Sequence, residues 1–148
     1  MSTKQKTPSD GTTVQTGNWK ELGAAATSIR FAVFVHEQGV PESEELDELD
    51  AVCVHAVIYR GSFAIATGRL CPDGRIGRMA VLKEFRSQGF GGQILRALIA
   101  AASERGQHET YLHAQIHALG FYDRHGFVTE GPEFEEAGIR HRAMRRKG

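Results

Sequence analysis

Arg86-Ser87-Gln88-Gly89-Phe90-Gly91-Gly92 is the stretch on which the fold turns. Just before it, residues 75–81 read as a strand. Just after it, Phe90, Ile94, Leu95, Leu98, Ile99 and Ala102 recur at helical steps along one face, and Gly106 supplies a stop. Residues 110–115 then read as a second strand. A strand, helix and strand of this length imply parallel neighbours joined by a right-handed crossover, hence an α/β architecture. Within the turn, glycines let backbone N–H groups face inward, and the helix N-terminus adds about half a unit of positive charge. Such a turn suits phosphate, although a tight turn or close helix packing also calls for glycine. Two nucleotide motifs are excluded: no Gly-Lys-Ser/Thr ending follows, and Ile94 stands where the third glycine of G-x-G-x-x-G belongs.

Working outward, residues 1–13 are polar and read as a flexible tail, leaving 14–148 as one domain with residues 14–16 as a short first strand. Over residues 19–36, Leu22, Ala26, Ile29 and Val33 mark an amphipathic helix. Gly39 and Pro41 break it, and residues 42–50 hold six carboxylates in nine positions, the pattern of a solvated loop. Residues 52–59 and 63–70 form a hairpin pattern around Arg60-Gly61-Ser62, and Cys71-Pro72-Asp73-Gly74 makes a further turn. Residues 118–125 read as a short helix ended by Gly126, with closing strands at 127–130 and 139–145. The expected fold class is mixed α/β, a sheet of about six to seven strands with helices on both faces.

The 148 residues suffice for one core and leave no room for a second catalytic domain. Eighteen basic residues balance eighteen acidic ones, so neither nucleic acid nor an anionic membrane is expected as main partner. The basic run at residues 140–147 reads as a solvated last strand. No apolar run approaches the about 20 residues of a membrane span, and no hydrophobic signal opens the chain, so the expected location is cytoplasmic. Cys53 and Cys71 lack a paired spacing and read as reduced thiols. His113 and His117 have the spacing of a helical metal pair, but His113 belongs to a strand, and no metal is expected.

Two motifs resemble a known family. Residues 86–91 match the Arg/Gln-x-x-Gly-x-Gly/Ala pyrophosphate loop of GNAT acyltransferases, and Leu119-Gly120-Phe121-Tyr122-Asp123-Arg124-His125-Gly126-Phe127 is similar to the family's second signature. Residues 30–38, Pro41, Glu45, Asp47, Asp50, His55, Ala114-Gln115, residues 135–141 and Met144 resemble the ElaA-type branch. The likeness covers about residues 19–145.

The resemblance implies a GNAT fold whose sheet splays between residues 75–81 and 110–115 to admit acetyl-CoA as co-substrate. Met79, Ala80 and Val81 would offer backbone groups to the pantetheine arm. Arg86, Ser87, Gln88, Gly89, Phe90, Gly91 and Gly92 would hold the pyrophosphate. Tyr122 aligns with the family's general acid, against the plainer reading of a half-buried tyrosine satisfying a core hydrogen bond. Glu37 and His117 are the candidates for general base, with His55 and His141 as acceptor-site lining. The implied activity is transfer of an acetyl or short acyl group from coenzyme A to a primary amine, on a small molecule or a protein, by direct attack in a ternary complex. The alternatives are a non-catalytic acyl-CoA sensor and an acyl-homoserine-lactone synthase. A homodimer paired through the late strands is a further expectation.

Overall fold

Alternating apolar residues in the chain's middle and the two helical stripes assemble as their periods require. The computed structural model describes residues 3–6 and 11–148. Of the expected tail, residues 1–2 and 7–10 lie outside the described residues, while β1 (Thr3–Lys6) pairs antiparallel with β2 (Thr12–Gly17). The helix α1 (Trp19–Arg30) follows, opened by a capping box in which Asn18 Oδ1 accepts from the Glu21 N–H at 2.9 Å and Glu21 answers at the Asn18 N–H. The expected single helix to residue 36 instead changes winding: Phe31–Glu37 forms a π-helical stretch, a local widening that often accompanies a functional site.

The acidic segment is more ordered than a solvated loop. It contains α2 (Glu42–Glu45) and a 3₁₀ turn (Glu48–Ala51), with Glu45 and Asp50 buried. The hairpin is β3 (Val54–Arg60) and β4 (Phe63–Leu70), followed by β5 (Ile76–Val81). Then come α3 (Phe90–Glu104), β6 (Glu109–Gln115), α4 (Leu119–Asp123), β7 (Val128–Glu136) and β8 (Ile139–Lys147). Gly106, at φ 77°, closes α3 with Gly106 N–H donating to Ser103 and Gln107 N–H to Ala102, the paired bonds of a Schellman ending.

Two sheets result, ordered β1-β2-β3-β4-β5 and β6-β8-β7, every pairing antiparallel. They meet at a single parallel bridge, Arg75 with Tyr111, beyond which β5 and β6 part. This is the mixed, splayed α/β architecture expected. Helix α1 lays Leu22, Ala26 and Ile29 on Val57 and Ala80, continued by Val33. Helix α3 covers the other face with Phe90, Ile94, Leu95 and Leu98 against Ile58, Leu70, Ile76 and Phe127. Each fully buried aliphatic side chain contributes about 1.5–3 kcal/mol, so these two stripes fix both helices to the sheet. Since β8 runs between β6 and β7, the basic last strand is central in its sheet, and β7 carries the outer edge.

Candidate active site

From the Arg75–Tyr111 bridge onward the two sheets separate, and the wedge between them is a cleft of about 880 Å³. Met79, Ala80, Val81, Arg86, Ser87, Glu37, His117 and Tyr122 all line it, so one space gathers residues from widely separated parts of the chain. Gln88, Gly89, Phe90, Gly91 and Gly92 are not part of that wall.

The β5 side of the cleft is a bulged strand. Thr67 pairs with Ala80 and Arg69 with Gly77, so Arg78 and Met79 together oppose Gly68, with Arg78 at φ 50°. A bulge interrupts the ladder locally and re-aims backbone groups, here beside the cleft. The Ala80 side chain is committed to the α1 core, leaving its backbone for any ligand. At the strand's end the chain turns through Ser87 (φ 64°) and Gly89 (φ 87°) into α3. Helix α3 has no side-chain cap, and Gln93 N–H makes the bond to Gly89 O, so the N–H groups of Phe90, Gly91 and Gly92 have no partner within the helix. An open N-terminus of this kind fits a pyrophosphate. A Cβ on Gly91 would stand 3.6 Å from Phe121, and one on Gly92 3.1 Å from Arg96, while the Phe90 ring is 2% exposed in the core.

The polar side chains of the turn are engaged within the protein. Arg86 grips Glu37 with two hydrogen bonds of 3.0 and 2.6 Å and donates a third, at 2.9 Å, to Val81 O. Gln88 donates to Glu84 O at 3.4 Å. Arg86 holds the Glu37 carboxyl below the usual carboxylate range, which makes it a weak proton acceptor at neutral pH. The pair joins the end of the π-helix to the turn that follows β5, both on the cleft wall.

Tyr122, on α4, packs edge-on to Phe121 and Phe127 at 4.9 and 6.1 Å between ring centroids. Burial pushes its phenol up to about 12. Its hydroxyl makes no hydrogen bond to a protein group among the described residues. His117 sits exposed in the 3₁₀ turn between β6 and α4 (Ile116–Ala118), on the same cleft wall.

Behind the cleft, and reaching its wall through Glu45, Asp47, Arg69 and Arg78, lie polar groups that the sequence reading left scattered. Arg30 pairs with Glu45 and Asp50 at 2.7 and 2.8 Å, Arg69 with Asp47 and Asp50 at 2.8 Å each, and Arg78 with Glu45 and Asp47 at 3.1 and 3.3 Å. Three guanidinium groups thus balance three carboxylates. Hydrogen bonds from Arg69 carry the Asp47 carboxyl down to about 2 against the opposing effect of burial. The signal for this lattice was Arg30 beside the apolar stripe of α1, a charge where solvent could not reach. Further along, Glu136 accepts from Arg75 at 3.3 Å and lies 2.8 Å from His113 Nδ1, with Phe134 packed edge-on to His113 and stacked on His141. His141 does line the cleft. His55 does not: it is buried against Trp19, its Nε2 is 2.9 Å from Asp50 O, and burial lowers its basicity.

Among the described residues no helix is long and apolar enough to cross a membrane. A family model described as an acetyltransferase (GNAT) domain matches residues 24–147. YjcF of Bacillus subtilis, named an uncharacterized N-acetyltransferase, is 42% identical over 120 residues, spanning 78% of this chain and 86% of that protein. Among solved structures, an acyl-CoA N-acyltransferase from Pseudomonas aeruginosa superposes with a TM-score of 0.81 at 32% identity, covering 90% of this chain and 97% of that one. Escherichia coli ElaA superposes at 0.82 with 27% identity, covering 90% and 99%. With the splayed sheets, the glycine turn into α3 and the Tyr122 segment all falling inside the matched span, the chain belongs to the GNAT acetyltransferase family.

Proposed function

We propose that this protein is an N-acyltransferase that moves an acetyl or short acyl group from coenzyme A to a primary amine by direct attack in a ternary complex. The observation that carries this reading is Tyr122, which lines the cleft between β5 and β6 with a hydroxyl that no protein group among the described residues engages. The GNAT family uses acetyl-CoA, and the residues present suit it. The uncapped start of α3 offers N–H donors to a pyrophosphate, and the bulged edge of Met79 to Val81 offers backbone to a pantetheine arm.

The chain's own groups then divide the work. Backbone N–H groups at the bulge stabilise negative charge on the thioester oxygen as the amine nitrogen bonds to the carbonyl carbon. As the carbon–sulfur bond breaks, Tyr122 donates its proton to the leaving sulfur. Its raised pKa keeps the phenol protonated at neutral pH, so the proton is available as negative charge builds on the departing sulfur. The attacking nitrogen must lose a proton, and His117 is the better acceptor of the two candidates, because Glu37 is held ionised by Arg86. Glu37 acts instead by fixing Arg86 on the cleft wall.

Isothermal titration with acetyl-CoA, together with a thiol-release assay over a panel of amines, tests the reading. Binding with amine-dependent release of coenzyme A supports it. Binding with no release from any amine would favour the acyl-CoA sensor, and absence of binding would remove the cofactor assignment.

A further inference from the structure

Cys53 and Cys71 flank the β3–β4 hairpin, and the register that pairs Val54 with Leu70 continues outward to set these two residues opposite each other. Their backbone N–H groups are spent elsewhere: Cys53 donates to Leu49 O at 3.1 Å and Cys71 to Arg75 O at 2.8 Å. They therefore form a non-hydrogen-bonded cross-strand pair, the arrangement in which opposed Cα atoms come closest, about 4.5 Å. That spacing lies inside the about 4.4–6.8 Å range of disulfides. The sulfurs stand 2.6 Å apart. Both residues are 4% exposed, and Cys71 lines the inner cleft while Cys53 lies behind it. The proposed acyl transfer uses neither thiol.

We propose that Cys53 and Cys71 are a redox pair that closes to a reversible intramolecular disulfide when hydrogen peroxide enters the cleft. Cys71 is the attacking sulfur. It lines the cleft, where Cys53 does not, and the hydrogen bond shared with Cys53 and the nearby Arg69 guanidinium favour its thiolate, whereas the Cys53 thiol is pushed up. The Cys71 thiolate takes one peroxide oxygen, the O–O bond breaks, and the departing hydroxide leaves as water with the proton that Cys71 gave up. The Cys53 sulfur then attacks the Cys71 sulfenic acid, the S–O bond breaks, and the hydroxyl leaves as a second water with the Cys53 proton. Two thiols are oxidised by two electrons and one peroxide is reduced to two waters. The bond ties the turn carrying Asp47 and Asp50 to the one joining β4 and β5.

The test uses the full-length protein treated with hydrogen peroxide, then denatured and alkylated without reductant. The expected result is a fall in alkylatable thiols from two to none, an intact mass lower by two hydrogens, a peptide linking Cys53 to Cys71, and full reversal by dithiothreitol. The same peroxide acting on protein kept unfolded in denaturant should form the link at least tenfold more slowly, since the register is gone. In Cys53→Ser, a sulfenic acid should accumulate at Cys71 and react with a cyclic diketone; in Cys71→Ser, Cys53 should stay reduced. Added oxygen mass without the link, or two thiols persisting at peroxide levels that oxidise a free-thiol peptide, would overturn the proposal on the unmutated protein alone.

Discussion

Tyr122 and Glu37 differ in what their surroundings do to a proton. Burial raises the phenol to about 12, so Tyr122 remains a proton donor throughout the neutral range. Tyr122→Phe removes only the hydroxyl. It should lower kcat by about 10²–10⁴-fold, the usual worth of a positioned acid, while the acetyl-CoA Kd from titration stays within about twofold. Glu37 is bound to Arg86 at the surface, and exposed ion pairs are worth about 0–1 kcal/mol, so Glu37→Gln should cost little stability. If His117 takes the amine proton, Glu37→Gln keeps kcat within about tenfold, whereas His117→Ala lowers it by about 10²–10⁴-fold. A loss of about 10²-fold or more in Glu37→Gln would return the base to Glu37.

At the scale of the element, two glycines serve one cleft for different physical reasons. Gly89, before α3, has open space around a Cβ but a φ of 87°, which an L side chain adopts at a cost of roughly 1–2 kcal/mol. Gly89→Ala should therefore relax the turn and weaken acetyl-CoA binding, seen as a raised Kd, with only that modest loss of stability. Gly68, in β4 opposite the bulge, has no strained φ. A Cβ there would stand 2.7 Å from Ile94, 2.8 Å from Met79 and 3.0 Å from Leu98. Gly68→Ala should push α3 off the sheet and lower the urea midpoint by about 1–3 kcal/mol of stability, the cost of overpacking. Comparing the two variants separates strain in the binding turn from space in the core.

For the molecule as a whole, the lattice of Arg30, Arg69 and Arg78 with Glu45, Asp47 and Asp50 links α1, the acidic segment, β4 and β5 behind the cleft. Arg30, 1% exposed, cannot be removed alone without leaving buried Glu45 to Arg78 and buried Asp50 to Arg69, each one partner short, and emptying the space its side chain fills. Arg30→Ala should destabilise by about 3–5 kcal/mol in denaturant unfolding. The lattice also sets an acid limit. Asp47 is depressed from 3.8 to about 2, so its contribution is complete above about pH 4 and is lost as pH falls from there toward 2. Solvent screens this exposed carboxylate, so the stability read from the urea midpoint should hold between pH 7 and 5 and drop by at most about 1 kcal/mol by pH 2. Asp47→Asn should flatten that acid step.

The helical stripes of α1 and α3, the hairpin turn at Gly61 and the glycines before α3 were legible in the residues, because periodicity and positive-φ positions are local properties. The order of the strands and their GNAT arrangement came from the two signature motifs, through likeness to a family. What the chain alone did not disclose depends on contacts between distant segments. The acidic residues at 42–50 read as solvated because their arginine partners lie 15 to 33 positions away, and only folding brings Arg30 to Glu45 and Arg78 to the Glu45 carbonyl. The engagement of Glu37 by Arg86 spans 49 positions. The two cysteines, 18 apart with no motif between them, become a pair only through the β3–β4 register. Local sequence thus determined the elements and the glycine-rich turn, through backbone sterics and the spacing of apolar side chains. Tertiary structure decided which charges are buried, which carboxylate can take a proton and which sulfurs meet, because pairing and desolvation are properties of neighbours that only the fold supplies.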